Sequence, residues 1–98
     1  MSRPKHIKER FDKLAQMGCI VCRVFHDAPE VPTTIHHIGN GTMGKRSPDE
    51  RTIPLCLIHH QHGGYGIAVH AGRKAFEAQY ATEAELLEWT NKALEVME

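Results

Sequence analysis

At 98 residues, 41% of them hydrophobic and only six aromatic, the chain has material for one small domain whose core is marginal without a staple. Three cysteines, an odd number, exclude a complete disulfide framework, and no apolar run approaches the roughly 20 residues that cross a bilayer. The net charge of zero is uneven: residues 1–76 carry eleven Lys/Arg against six Asp/Glu, and residues 77–98 carry Lys92 against six glutamates, so a basic body that can steer a polyanion precedes an acidic tail.

Ser2 to Met17 is expected to form an amphipathic helix, with Pro4 in its first turn, Ile7, Phe11 and Leu14 along one face and Gly18 as its stop. Cys19-Ile20-Val21-Cys22 follows at once as a turn, and Asp27 to Pro32 reads as a loop. Thr33 to Ile38 is β-branched at four of six positions, which places His36 and His37 on a short strand. Gly39 to Asp49, with three glycines and Lys45-Arg46, is a basic loop leading to a second short strand over Arg51 to Leu57. A helical turn begins near His59, Gly63 to Gly66 interrupts it, and a further helix is expected from His70 to Tyr80. Thr82 and Glu85 fit a capping box for a last helix over Glu83 to Met97, with Leu86, Leu87, Ala93, Leu94 and Met97 as its buried stripe and Trp89 at the edge. The class is α+β and the organisation a single domain over 1–98: an N-terminal helix (1–18), a core (19–80) and a C-terminal helix (82–97).

The chemistry lies in the cysteines and histidines. Cys19-x-x-Cys22 and Cys56-x-x-His59 are two chelating steps, and together they can close a tetrahedral cage around a structural zinc ion. Zinc-binding thiolates imply a reducing compartment, and with no secretory signal in view the expectation is a cytoplasmic protein outside the membrane. Such a cage leaves His36, His37, His60 and His70 for a second site. Adjacent strand residues point to opposite faces, so one of His36 and His37 can ligate an ion while the other approaches a water. That division suits phosphodiester hydrolysis, in which a divalent ion steadies the charge and a neutral imidazole takes a proton. His60, one residue past the anchored His59 and turned by about 100° on a helix, can face the strand.

The pattern Cys19/Cys22, His36-His37, Cys56/His59-His60 on a strand–loop–strand–helix layout resembles the HNH endonucleases of the ββα-metal fold. The stretch from Ile53-Pro54-Leu55-Cys56 through His59-His60 and His70 to Gly72-Arg73-Lys74-Ala75-Phe76-Glu77 is similar to the phage recombination-enhancement (Ref-like, RecA-dependent) nucleases. The resemblance implies a small zinc-stapled ββα-metal domain with flanking helices, a DNA substrate, a RecA-type recombinase filament as partner and a phage or prophage origin. By the same resemblance His37 is the general base, His36 and His60 hold a second divalent ion (Mg²⁺, Mn²⁺ or Zn²⁺), and the products are a 5′-phosphate and a 3′-hydroxyl. Two departures stand out: the family's middle asparagine would fall near Glu50 or Arg51, and a further ligand would fall at Gly64. His70 is either the substitute for that ligand or a surface histidine at a helix start. Lys45, Arg46, Arg73 and Lys74 are candidates for contacts with the DNA backbone. The competing reading is a non-catalytic zinc-ribbon-like module that binds nucleic acid or protein and holds one ion where the nuclease holds two.

Overall fold

A computed structural model describes residues 4–28, 31–38 and 49–97. The elements in order are α1 (Lys5–Met17), α2 (Ile20–Phe25), β1 (Thr34–His37), β2 (Thr52–Leu55), a π-helical turn (Ile58–His62), a 3-10 turn (Val69–Ala71), α3 (Arg73–Gln79) and α4 (Glu83–Glu95). Helices packed on one two-stranded sheet make the domain α+β, as the residue pattern predicts.

Helix α1 begins behind Pro4, whose carbonyl accepts from the N–H groups of Ile7 and Lys8, and ends where Gly18 N–H bonds Leu14 O at 3.2 Å. Ile7, Leu14 and Met17 are buried on its inner face, while Phe11 is only partly covered. The first Cys-x-x-Cys step is more than the expected turn. Cys19 Sγ accepts from Cys22 N–H at 3.5 Å and caps the six-residue helix α2. Ile20 and Val21 are poor helix formers, and their complete burial supplies what propensity lacks.

Strands β1 and β2 pair antiparallel, with Thr34 opposite Leu55, Ile35 opposite Pro54, His36 opposite Ile53 and His37 opposite Thr52. Two strands alone are marginal in water. Here β2 is buried at all four positions, because α1, α2 and α4 pack on it. Arg10 fastens this arrangement: its guanidinium donates to Thr52 Oγ1 (2.9 Å) and Thr52 O, and also to Asn91 Oδ1 (2.9 Å) on α4. The core centres on Phe76, Leu14, Ile20, Ile53, Leu55 and Leu86.

The predicted helix over His70 to Tyr80 divides into the 3-10 turn and α3. At the division Gly72 lies against the ring of Tyr65, and a Cβ there would meet Tyr65 Cε1 at 2.9 Å. Helix α4 carries the expected capping box, with Thr82 Oγ1 accepting from Glu85 N–H (3.1 Å) and Glu85 Oε1 accepting from Thr82 N–H (3.0 Å). Its buried face is not the expected stripe. Leu86, Glu83 and Thr90 are buried, whereas Leu87, Trp89, Ala93, Leu94 and Met97 are half-covered. Among the described residues no helix is long and apolar enough to cross a membrane.

Candidate functional site

The thiol-capped start of α2 and the entry to the π-helical turn bring the two chelating steps together. Cys19, Cys22, Cys56 and His59 are all buried, and their ligand atoms lie within 4.8 Å of one another. His59 Nδ1 is 3.6 Å from Cys19 Sγ, 3.5 Å from Cys22 Sγ and 3.2 Å from Cys56 Sγ, and Cys22 Sγ is 3.8 Å from Cys56 Sγ. A tetrahedral ion bonded at about 2.3 Å to sulfur and about 2.0 Å to nitrogen has S···S edges of about 3.8 Å and S···N edges of about 3.5 Å. The four atoms therefore already stand near the corners of a metal site. Burial pushes the Cys22 thiol up to about 12, with the neighbouring Cys19 adding to the effect, and burial also raises Cys19. Such thiols release their protons only to a strong positive charge, which a metal ion provides. Burial lowers His59, with His26 reinforcing the shift, so its ring is neutral and able to ligate. Tyr80 meets the His59 ring edge-on at 5.3 Å and His26 stacks on it at 5.4 Å, which holds the plane of the fourth ligand.

One residue further, the chain serves a second cluster. Gly63 N–H bonds Ile58 O at 2.8 Å, an i to i+5 link that widens the turn so that His59 and His60 face different neighbours. Gly64 and Gly66, both left-handed (φ +84° and +86°), then fold the chain back and return His70 to His60. His36, His60 and His70 offer ligand atoms within 4.8 Å of one another, and His60 Nε2 is 3.0 Å from His70 Nε2. Cis nitrogens around an octahedral ion at about 2.1 Å are about 3.0 Å apart.

Hydrogen bonds decide which nitrogens are free. Thr34 Oγ1 donates to Leu55 O at 2.9 Å, so it accepts from His60 Nδ1–H at 2.8 Å, and His60 Nε2 keeps its lone pair. His36 Nε2–H donates to the Glu83 carboxylate at 2.6 Å. Burial carries His60 down to about 4, with His36 and His70 adding to the shift; burial and His36 also lower His70, against an opposing effect of Glu83. Near neutral pH, His60 and His70 are therefore neutral and ligand-competent.

His37 leaves this cluster, because neighbours on a strand point to opposite faces. Its Nε2–H donates to Asp49 Oδ1 at 2.8 Å and its ring meets Phe11 edge-on at 6.4 Å, with the side chain 35% exposed. Nδ1 is then the basic nitrogen of His37. Of the basic candidates, Arg73 and Lys74 are exposed at the start of α3, where Arg73 Nη1 stands 3.9 Å from Glu83 Oε1; Lys45 and Arg46 lie outside the described residues. Three polar partners escaped the sequence reading: Thr34, Asp49 and Glu83. Thr34 shares the period-2 face of His36, and Asp49 sits next to the position where an asparagine was sought. Glu83 looked like an ordinary first-turn helix acid, and no local signal marked it.

Two comparisons with known proteins bear on this arrangement. The family model described as "Recombination enhancement, RecA-dependent nuclease" matches residues 5–95. The chain is also 29% identical over 89 residues to the uncharacterized protein YdfU of Escherichia coli (strain K12), an alignment covering 87% of this chain and 22% of that protein. The chain thus spans about a fifth of the length of that relative.

Proposed function

Because the chain belongs to the recombination-enhancement, RecA-dependent nuclease family, we propose that it is a metal-dependent HNH endonuclease of the ββα-metal fold that hydrolyses DNA phosphodiester bonds on strands presented by a RecA-type filament. The observation that carries this reading is the cluster of His36, His60 and His70, set one residue beyond a separate four-ligand cage. A binding module needs the cage alone. In this reading Cys19, Cys22, Cys56 and His59 hold a structural zinc, whose bond lengths agree with the spacing of the four atoms. His36, His60 and His70 hold the catalytic divalent ion, Mg²⁺, Mn²⁺ or Zn²⁺. That ion, when bound, withdraws charge from the scissile phosphate and from the departing oxygen.

The protein's own part is proton handling and orientation. His37 Nδ1 takes a proton from the attacking water as the water oxygen bonds phosphorus. The bond from phosphorus to the 3′-oxygen breaks, and that oxygen takes a proton from solvent, leaving a 5′-phosphate and a 3′-hydroxyl. Asp49 holds the Nε2 proton of His37 in place and keeps Nδ1 basic throughout. Arg73 and Lys74 on α3, together with Lys45 and Arg46, contact the DNA backbone and give binding without tight sequence choice.

The test is cleavage of duplex DNA paired with a RecA-coated single strand, in Mg²⁺ or Mn²⁺, with wild type beside His37→Ala. Wild type cuts only when the filament is present, and His37→Ala, folded and fully loaded with zinc, loses about 10²-fold or more of the rate. Equal cutting by the two proteins removes His37 from the mechanism, and an uncut substrate under every condition returns the chain to the binding-module reading.

A further inference from the structure

Glu83 occupies an unusual place for an acid. It is the first residue of α4, yet its side chain is only 10% exposed and its carboxylate turns inward onto His36 of β1. Burying a carboxylate is costly unless it finds partners. Its Oε2 lies 2.6 Å from His36 Nε2, closer than the Thr34–His60 contact (2.8 Å) or the His60–His70 contact (3.0 Å) of the same cluster. Its Oε1 stands 3.9 Å from Arg73 Nη1, beyond hydrogen-bond reach. The helix start has no need of this side chain, since Thr82 and Glu85 already cap α4 and the Glu83 N–H is taken by Glu77 Oε2 at 2.7 Å. The dipole of α4 favours a negative charge anywhere near the helix start, so it does not single out His36 as the partner. The hydrogen bond that holds Glu83 inside is the one to His36, with Arg73 as a longer ion-pair partner.

The consequence lies in the tautomer. A carboxylate only accepts, so His36 Nε2 carries its proton and Nδ1 is the one nitrogen of that ring left to bind an ion. His60 is set in the same manner by Thr34, which takes the Nδ1 proton and leaves Nε2 free. Ligating imidazoles ordinarily have their second nitrogen held in this way, and loss of the holding group costs about 10- to 100-fold in metal affinity.

We propose that Glu83 is a positioning residue of the second metal centre: by accepting the Nε2 proton of His36 it presents Nδ1 to the ion and makes the centre depend on α4. The inference rests on the reading that His36, His60 and His70 hold a divalent ion. It assigns to helix α4 a share in a site otherwise built from β1, the π-helical turn and the 3-10 turn.

The experiment is calorimetric titration of Mn²⁺ into protein whose cage is already filled with zinc, with wild type compared with Glu83→Gln. Glutamine preserves size and can still accept a hydrogen bond, but it lacks the charge. The expected result is a second ion in both proteins, bound about 10- to 100-fold more weakly by the variant. Co²⁺ placed in the cage gives a thiolate charge-transfer band that reports Cys19, Cys22 and Cys56, and this band stays unchanged in Glu83→Gln. Should the band be lost, Glu83→Asp serves instead, because it keeps the charge at the helix start and draws the oxygens back by one carbon; weaker Mn²⁺ binding with an intact band is then expected. A second-ion affinity equal to wild type in a variant with an intact cage overturns the role of Glu83 alone. A drop beyond about 10³-fold overturns it as well, since that size belongs to loss of a ligand and exceeds loss of a positioning group. A wild type that binds only the cage ion overturns both this inference and the reading beneath it.

Discussion

His36 and His37 are chain neighbours with different company, and the pleat of one strand is the reason. His36 turns inward to Glu83, His60 and His70; His37 turns to Asp49 and Phe11 and stays 35% exposed. Strand periodicity made this separation legible from the sequence, while the acid beside each ring was not. On the proposed reading Asp49 takes the part of the missing asparagine: it bonds the ring of His37 directly, and its backbone carbonyl accepts from Thr52 Oγ1 at 2.8 Å, which ties Asp49 to the start of β2. Replacing it by asparagine leaves a group of the same shape that can donate as well as accept, so His37 can hold the wrong tautomer. Asp49→Asn is expected to lower kcat by about 10²-fold with KM nearly unchanged. Steady-state cleavage kinetics would check this, and a wild-type kcat would exclude Asp49 from orienting His37.

At the scale of elements, agreement between pattern and structure follows where the stabilising contacts lie. The capping box of α4 was readable because all its bonds fall within four residues, from Thr82 to Glu85. Thr82→Ala should cost about 1 kcal/mol of stability, measurable by denaturant unfolding. The same box has a pH signature. The Thr82 backbone N–H, then its hydroxyl, hold the Glu85 carboxyl below its ordinary value, so the contribution of Glu85 is complete above about 4.5 and fades as pH falls through the lowered value. The stability gap between wild type and Thr82→Ala should accordingly narrow in acid; a gap that widened there would contradict the box. Helix α2 was not readable, and of the turn at Ile58–His62 the helical character was readable but its π widening was not. Ile20 and Val21 argue for strand by propensity, and a five-residue widened turn depends on where Gly63 N–H finds its carbonyl, not on periodicity.

For the whole molecule the four-ligand cluster is, on the proposed reading, the fastener once it holds an ion. It joins α2 to the π-helical turn across the 33 intervening residues between Cys22 and Cys56, and it lies within the apolar cluster of Ile20, Val21, Leu55 and Phe76. So small a core has little stability to spare. Cys56→Ser should lose the cage ion and melt at least about 10 °C lower, taking about 2 kcal/mol as a floor and about 5 °C per kcal/mol for a domain of this size. Metal analysis with a thermal scan tests both parts, and an unchanged melting curve would show that the four ligands do not staple the fold.

By itself the sequence supplied the candidate inventory: which cysteines and histidines stand in pairs at chelating spacing, which histidines are left over, and that one strand must turn two of them apart. These follow from spacings of one to three residues, set by local backbone geometry. Only the tertiary structure decided which acids and hydroxyls hold the histidines, because Glu83 reaches His36 across 47 residues, Thr34 reaches His60 across 26 and Asp49 reaches His37 across 12. A hydrogen bond across such distances has no periodicity to betray it; it exists only once folding has brought the two groups together and reduced the water that would otherwise satisfy both.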